Sequence, residues 1–224
     1  MYKKQIEAYF EAHRDEMVKD IMDLVSIRSV DEAAKPGKPY GDGPAEALGA
    51  ALRLAEKYGF ENVKNWDNYV GTITMGGEDV LLGLLAHLDV VPEGKGWNKC
   101  EPYQPVVHEG KIYGRGSSDD KGPAMAALYA LRCVKELGIP LKKGVRLILG
   151  AAEETGSTDI EYYFKKESAP AMVFSPDGEY PVLNTEKGQL RPDVLAAYAA
   201  DATLPRIRSI DGGLVLNAVP PEAE

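Results

Sequence analysis

Apolar residues recur at steps of three and four near the start of the chain: Ile6, Tyr9, Phe10, His13, Met17, Ile21, Leu24 and Val25. That spacing predicts one amphipathic helix. A polar loop, DEAAKPGKPYGDG, follows. PAEALGAALRLAEKYGF then predicts a second helix, with Pro44 in its first turn and Gly59 as its stop. YVGTITM and VLLGLLA predict strands separated by a Gly-Gly turn, and KIYGRG predicts a short strand. DKGPAMAALYALRCVKELG is apolar on nearly every side, which predicts a buried helix ending at Gly138. GVRLILGAA predicts the next strand, STDIEYYFKKE a helix capped by Ser157, and AMVFS a further strand. Strands alternating with helices predict an α/β fold, with a largely parallel sheet flanked by helices. From about Glu186 the pattern weakens, which divides the chain into residues 1–185 and a second unit at 186–224.

Composition narrows the function classes. A formal net charge of −9 argues against nucleic acid as a partner, because phosphate binding needs clustered Lys and Arg. No run is long and apolar enough for a membrane span, and the start MYKKQIEAYF lacks the apolar core of a signal peptide, so the expected location is cytoplasmic. The two cysteines, Cys100 and Cys133, lie far apart and suggest neither a disulfide framework nor a thiolate zinc site. The loop from Pro92 to Pro105 is long enough to suggest function.

In an open α/β sheet, ligands bind beyond the carboxyl ends of the strands. His87 and Asp89 follow VLLGLLA, Asp119 and Asp120 follow KIYGRG, Glu153 and Glu154 follow VRLILGAA, and Asp177 follows AMVFS. Singly these have bland explanations. His87 could be a satisfied core histidine, Asp119 and Asp120 could cap the helix that starts at Lys121, and Asp177 sits in a Ser-Pro-Asp-Gly turn. Glu153 and Glu154 resist such an account, because like charges closing a buried strand destabilise it without a partner. One imidazole among several carboxylates is a donor set for zinc or manganese. Of the adjacent glutamates, one can bind the ion while the other takes a proton from water. His13 and His108 read as structural. A serine hydrolase is disfavoured by the lack of GxSxG, and no GxxxxGK[ST] phosphate loop occurs.

LLAHLDVVPEGKGW, GKIYGRGSSDDKGP, AAEETGS and FSPDGEYPV, in this order and at these separations, resemble the M20 family of co-catalytic metallopeptidases, and within it the bacterial dipeptidases. The resemblance covers residues 1 to 190. It implies a zinc-peptidase-like catalytic domain, here its N-terminal segment, with 186–224 as the start of an α+β lid domain. It implies two divalent ions, zinc first, with manganese or cobalt as alternatives. His87 and Asp177 would bind one ion, Glu154 the other, and Asp119 would bridge them. Glu153 would be the general base, Asp89 would orient the His87 imidazole, and the Asp119–Asp120 peptide would be cis. Asn217, in GGLVLNAVPPEAE, would face the substrate. DDKG at 119 to 122 is similar to the dipeptidase branch, which implies a dipeptide substrate. An N-acyl amino acid deacylase is the alternative. In that family a histidine from the C-terminal segment completes the second site. The present chain would then be an N-terminal portion, with silent metal binding and association through the open sheet edge as the other expectation.

Overall fold

The computed structural model describes residues 2–77, 79–178 and 181–185, and residues 188, 190, 192 and 195. The chain divides into a unit spanning Met1–Leu183 and another from Asn184 to Glu224. The account below concerns the first.

Instead of one N-terminal helix there are two, α1 (Lys3–Ala12) and α2 (Arg14–Val25), separated at His13, whose backbone leaves the helical region at φ −105° and ψ 9°. The contacts at the break are local. The His13 ring stacks on Tyr9, and its Nδ1 lies 2.8 Å from the Tyr9 carbonyl oxygen that also accepts the His13 backbone N–H. The second predicted helix is α3 (Asp42–Lys57), and Gly59 beyond it has φ +72°. In its first turn Gly43 packs so closely that a Cβ there would lie 2.0 Å from the carbonyl oxygen of Arg28.

The predicted strands are β2 (Val70–Met75), β3 (Val80–His87), β6 (Gly144–Gly150) and β7 (Met172–Phe174). A further strand, β1 (Asn62–Trp66), escapes the hydrophobic pattern because NVKNW is polar and none of its residues is fully buried. The five form one sheet in the order β1-β2-β6-β3-β7. Strands β6, β3 and β7 are parallel, while β2 and β1 add an antiparallel margin. Strands β4 (Val106–His108) and β5 (Lys111–Tyr113) pair with each other as a separate hairpin, so KIYGRG does not end in the main sheet.

Helix α4 (Lys121–Glu136) follows that hairpin, and α5 (Thr158–Phe164) follows a single 3-10 turn at Glu153–Thr155. Gly122 in the first turn of α4 stands as close to its neighbour as Gly43 does, since a Cβ would lie 2.1 Å from the Ser117 carbonyl oxygen. The strand period of two divides β6 between two cores. Leu147 and Leu149 face the cluster of Leu24, Leu48, Leu52, Met125 and Leu128 from α2, α3 and α4, while Ile148 packs with Val70 and Tyr163. Burial of these leucines removes them almost wholly from water, at about 1.5–3 kcal/mol each by area.

Between α2 and α4 the core is polar. Asp20 Oδ2 accepts hydrogen bonds from the hydroxyls of Tyr58 and, at 2.5 Å, Tyr129. Nearby, the Arg132 guanidinium lies 3.7 Å from the Tyr58 ring centroid and donates to Glu16 at 2.8 Å and Glu136 at 2.7 Å.

Candidate metal centre

Parallel strands β3, β6 and β7 deliver their chemistry at one end. His87 is the last residue of β3, Ala151 to Glu154 continue from β6, and Ser175 to Asp177 continue from β7. Asp119 and Asp120 arrive differently, from the turn between the β4–β5 hairpin and α4. Their mutual peptide bond is cis.

His87 is buried at the centre. Its Nε2 lies 3.0 Å from Asp119 Oδ1, 3.4 Å from Asp177 Oδ2 and 3.9 Å from Glu153 Oε2. Its Nδ1 lies 3.1 Å from the Asp89 carbonyl oxygen and 3.3 Å from Asp89 Oδ1. The far side of the ring is thus held by Asp89, which turns Nε2 toward the other carboxylates. Two trios place ligand atoms within 4.8 Å of one another: His87, Asp119 and Asp177, and His87, Glu153 and Glu154.

The electrostatics are those of a site built for positive charge. Burial alone would favour neutral His87, yet the carboxylates of Asp119 and Asp89 raise its pKa to about 11. Burial raises Glu153 and Asp177, the latter also through Asp119. Burial and the neighbouring Asp119 push Glu154 up to about 7. Asp119, in direct contact with His87, is lowered. Carboxylates forced toward neutrality beside an imidazole forced toward its cation share a deficit of positive charge, which a divalent ion would supply. One nitrogen and several carboxylate oxygens fit zinc, manganese or cobalt without choosing among them.

Asp120 does not cap α4 with its side chain. Its Oδ2 accepts the backbone N–H of His87 at 3.0 Å, its Oδ1 is buried without a partner among the described residues, and burial raises it to about 7. Ser157 makes no side-chain cap on α5 either, because its left-handed backbone (φ +57°) turns it away from that role. The neighbouring Asp159 takes the helix N–H of Ile160 instead, at 2.8 Å. His13 and His108 stand away from the cluster, one beside Tyr9 and the other on the β4–β5 hairpin. Asn217 lies outside the described residues. No helix among the described residues is long and apolar enough to cross a membrane.

A model of the peptidase family M20/M25/M40 matches residues 83–199. The protein named "Putative dipeptidase YtjP" of Bacillus subtilis (strain 168) is 41% identical over 215 residues, spanning 94% of this chain and 46% of the relative. The Beta-Ala-Xaa dipeptidase of Lactobacillus delbrueckii subsp. lactis is 43% identical over 180 residues, spanning 80% of this chain and 38% of the relative. The fold matches the crystal structure of human carnosine dipeptidase 1, with TM-score 0.66 and 23% identity over 80% of this chain and 42% of that one. The chain spans less than half the length of each of these proteins.

Proposed function

This chain belongs to peptidase family M20/M25/M40, and on that premise we propose that its site serves the metal-dependent hydrolysis of dipeptides. One observation carries the reading: a buried histidine at a parallel strand end has the carboxylates of Asp119, Asp177 and Glu153 within 4 Å of its outward nitrogen. His87 and Asp177 would hold one divalent ion, Glu154 another, with Asp119 between them. Bound there, such ions polarise a scissile carbonyl and make a nucleophile of water at neutral pH. Glu153 accepts the proton of the attacking water and passes it to the leaving amine, a task suited to a carboxylate that burial has made more basic. Asp89 holds the His87 ring and, through the backbone, the two glutamates. A dipeptide substrate is supported by the names of the relatives, among them a Beta-Ala-Xaa dipeptidase. The N-terminal unit would be the metal-bearing part of the catalytic domain, and residues from 186 onward the beginning of a lid.

A second reading is metal binding without turnover. If Glu153 is kept free as base, Glu154 and Asp119 alone among the described residues remain for the second ion, fewer than the three protein ligands usual at a catalytic zinc.

Equilibrium dialysis of the metal-stripped chain against zinc or manganese, followed by a dipeptide assay with and without chelator, separates the two. Binding of ~2 ions with chelator-sensitive hydrolysis supports the enzyme. Binding of ~1 ion without hydrolysis supports the silent site. Absence of divalent-ion binding overturns both.

A further inference from the structure

Glu153 and Glu154 leave the sheet on a segment held from behind by two buried carboxylates. The N–H groups of Glu153 and Glu154 donate to Asp89 Oδ1 and Oδ2 at 3.1 and 3.0 Å. The two preceding N–H groups, of Ala151 and Ala152, donate to Asp159 Oδ2 at 2.6 and 3.0 Å. Four successive amides therefore end on carboxylate oxygens, where a strand would have continued its ladder. Asp159 is wholly buried, and its other oxygen takes the Ile160 N–H. The approach leaves no spare room, since a Cβ on Gly150 would meet Asp159 Oδ2 at 2.6 Å. On the remaining side Tyr40 packs against Ala151 and Ala152, and its hydroxyl lies 2.8 Å from Thr158 Oγ1.

We propose that Asp159 is a positioning residue for the metal centre: by fixing the amides of Ala151 and Ala152 it sets where the segment turns, and so where Glu153 and Glu154 aim. This rests on the metal-dependent reading of the site. Charge-assisted bonds to backbone N–H groups are short and directional, so a carboxylate fixes the turn more tightly than a neutral side chain could. Partners bonded directly to metal ligands govern affinity by about 10–100-fold, and Asp159 acts one step further out, through the backbone that carries Glu153 and Glu154. Asp159 lies five residues beyond Glu154, on a different element, and holds no ion itself.

The test is calorimetric titration of zinc or manganese into the metal-stripped chain and three variants, with the melting temperature of each measured without metal. Asp159→Asn keeps the shape but turns one acceptor into a donor facing an N–H. Gly150→Ala keeps the carboxylate and its charge and displaces it by a methyl group. Tyr163→Phe is the control, since Tyr163 shares α5 with Asp159 and its hydroxyl accepts a 2.9 Å bond from Arg146 of β6, leaving the four amides of the segment untouched. The expected result is binding weakened about ten-fold or more by Asp159→Asn and by Gly150→Ala, and unchanged by Tyr163→Phe at a comparable loss of melting temperature. Binding unchanged in the first two overturns the positioning role. So does equal weakening by Tyr163→Phe, which would reduce the effect to lost stability. If Asp159→Asn does not fold, Gly150→Ala alone decides. If the parent chain binds no ion, the metal reading of the site falls and this inference with it. Parent binding with unaffected variants removes only the inference.

Discussion

Glu153 and Glu154 are neighbours in sequence to which the proposed function gives separable tasks, and the separation is measurable. Glu153→Gln keeps the side-chain volume and removes the proton acceptor. If the chain hydrolyses dipeptides as proposed, this substitution is expected to lower turnover by about 10²–10⁴-fold while leaving ion stoichiometry unchanged. Glu154→Gln is expected to weaken ion binding first, with activity restored in part by excess metal. Equal effects of the two on binding, read by calorimetry, would remove the distinction. That these two residues gather with His87 and Asp177 is legible from sequence because three parallel strands end together, whereas Asp119 joins them from the turn after a separate hairpin and is legible only through the family motif. Asp120 and Asp159 were not legible, for a physical reason. A buried aspartate that holds backbone N–H groups and a surface aspartate that caps a helix look alike until folding shows what surrounds them. SerThrAsp at 157–159 suggested the serine as the cap, whereas the serine backbone turned left-handed and the aspartate took the amide.

At the scale of elements, the helices and buried strands follow from periodicity, but their interruptions do not. The break between α1 and α2 falls where a side-chain nitrogen shares the Tyr9 carbonyl with the backbone N–H, a contact that hydrophobic spacing does not record. Strand β1 was invisible because it is a margin strand that buries little. The docking of α2 on α4 depends on a polar contact inside an otherwise apolar layer. Tyr129→Phe deletes one of the two hydroxyls on Asp20 and leaves that buried carboxylate short of a donor. The expected cost is about 2 kcal/mol, measured as a lower urea midpoint at unchanged slope. A loss near zero would mean that water replaces the hydroxyl.

Across the whole molecule many carboxyls shift in both directions, and Arg132 holds two of the lowered ones. Its hydrogen bond holds Glu16 below its ordinary value of 4.5, and at Glu136 burial works the other way but the same guanidinium wins. A carboxyl lowered in the folded state contributes stability that is complete above its unfolded value and is lost as pH falls through the folded one. The contribution of these two pairs is therefore expected to fade below about pH 4.5. Arg132→Met should flatten this part of the acid response, in thermal melts between neutral and acid pH, while lowering stability at neutral pH. A parallel decline in parent and variant would assign the acid response to other groups. The sheet as a whole was legible as α/β with a parallel centre. Its antiparallel margin and the separation of the β4–β5 hairpin from the main sheet are not, because strand order and pairing partners are long-range choices that a local pattern does not encode.

The two glycines at the starts of α3 and α4 also bear on how such a sequence can drift. At each, the Cα lies where any larger residue would drive its first carbon into a carbonyl oxygen, of Arg28 for Gly43 and of Ser117 for Gly122. Single replacements at these positions lead nowhere unless the facing loop moves in the same step. Gly122 sits between Lys121 and the rest of the helix that follows the Asp119–Asp120 turn. The first turn of that helix is therefore fixed at Gly122 by backbone packing, independently of any chemistry the aspartates perform.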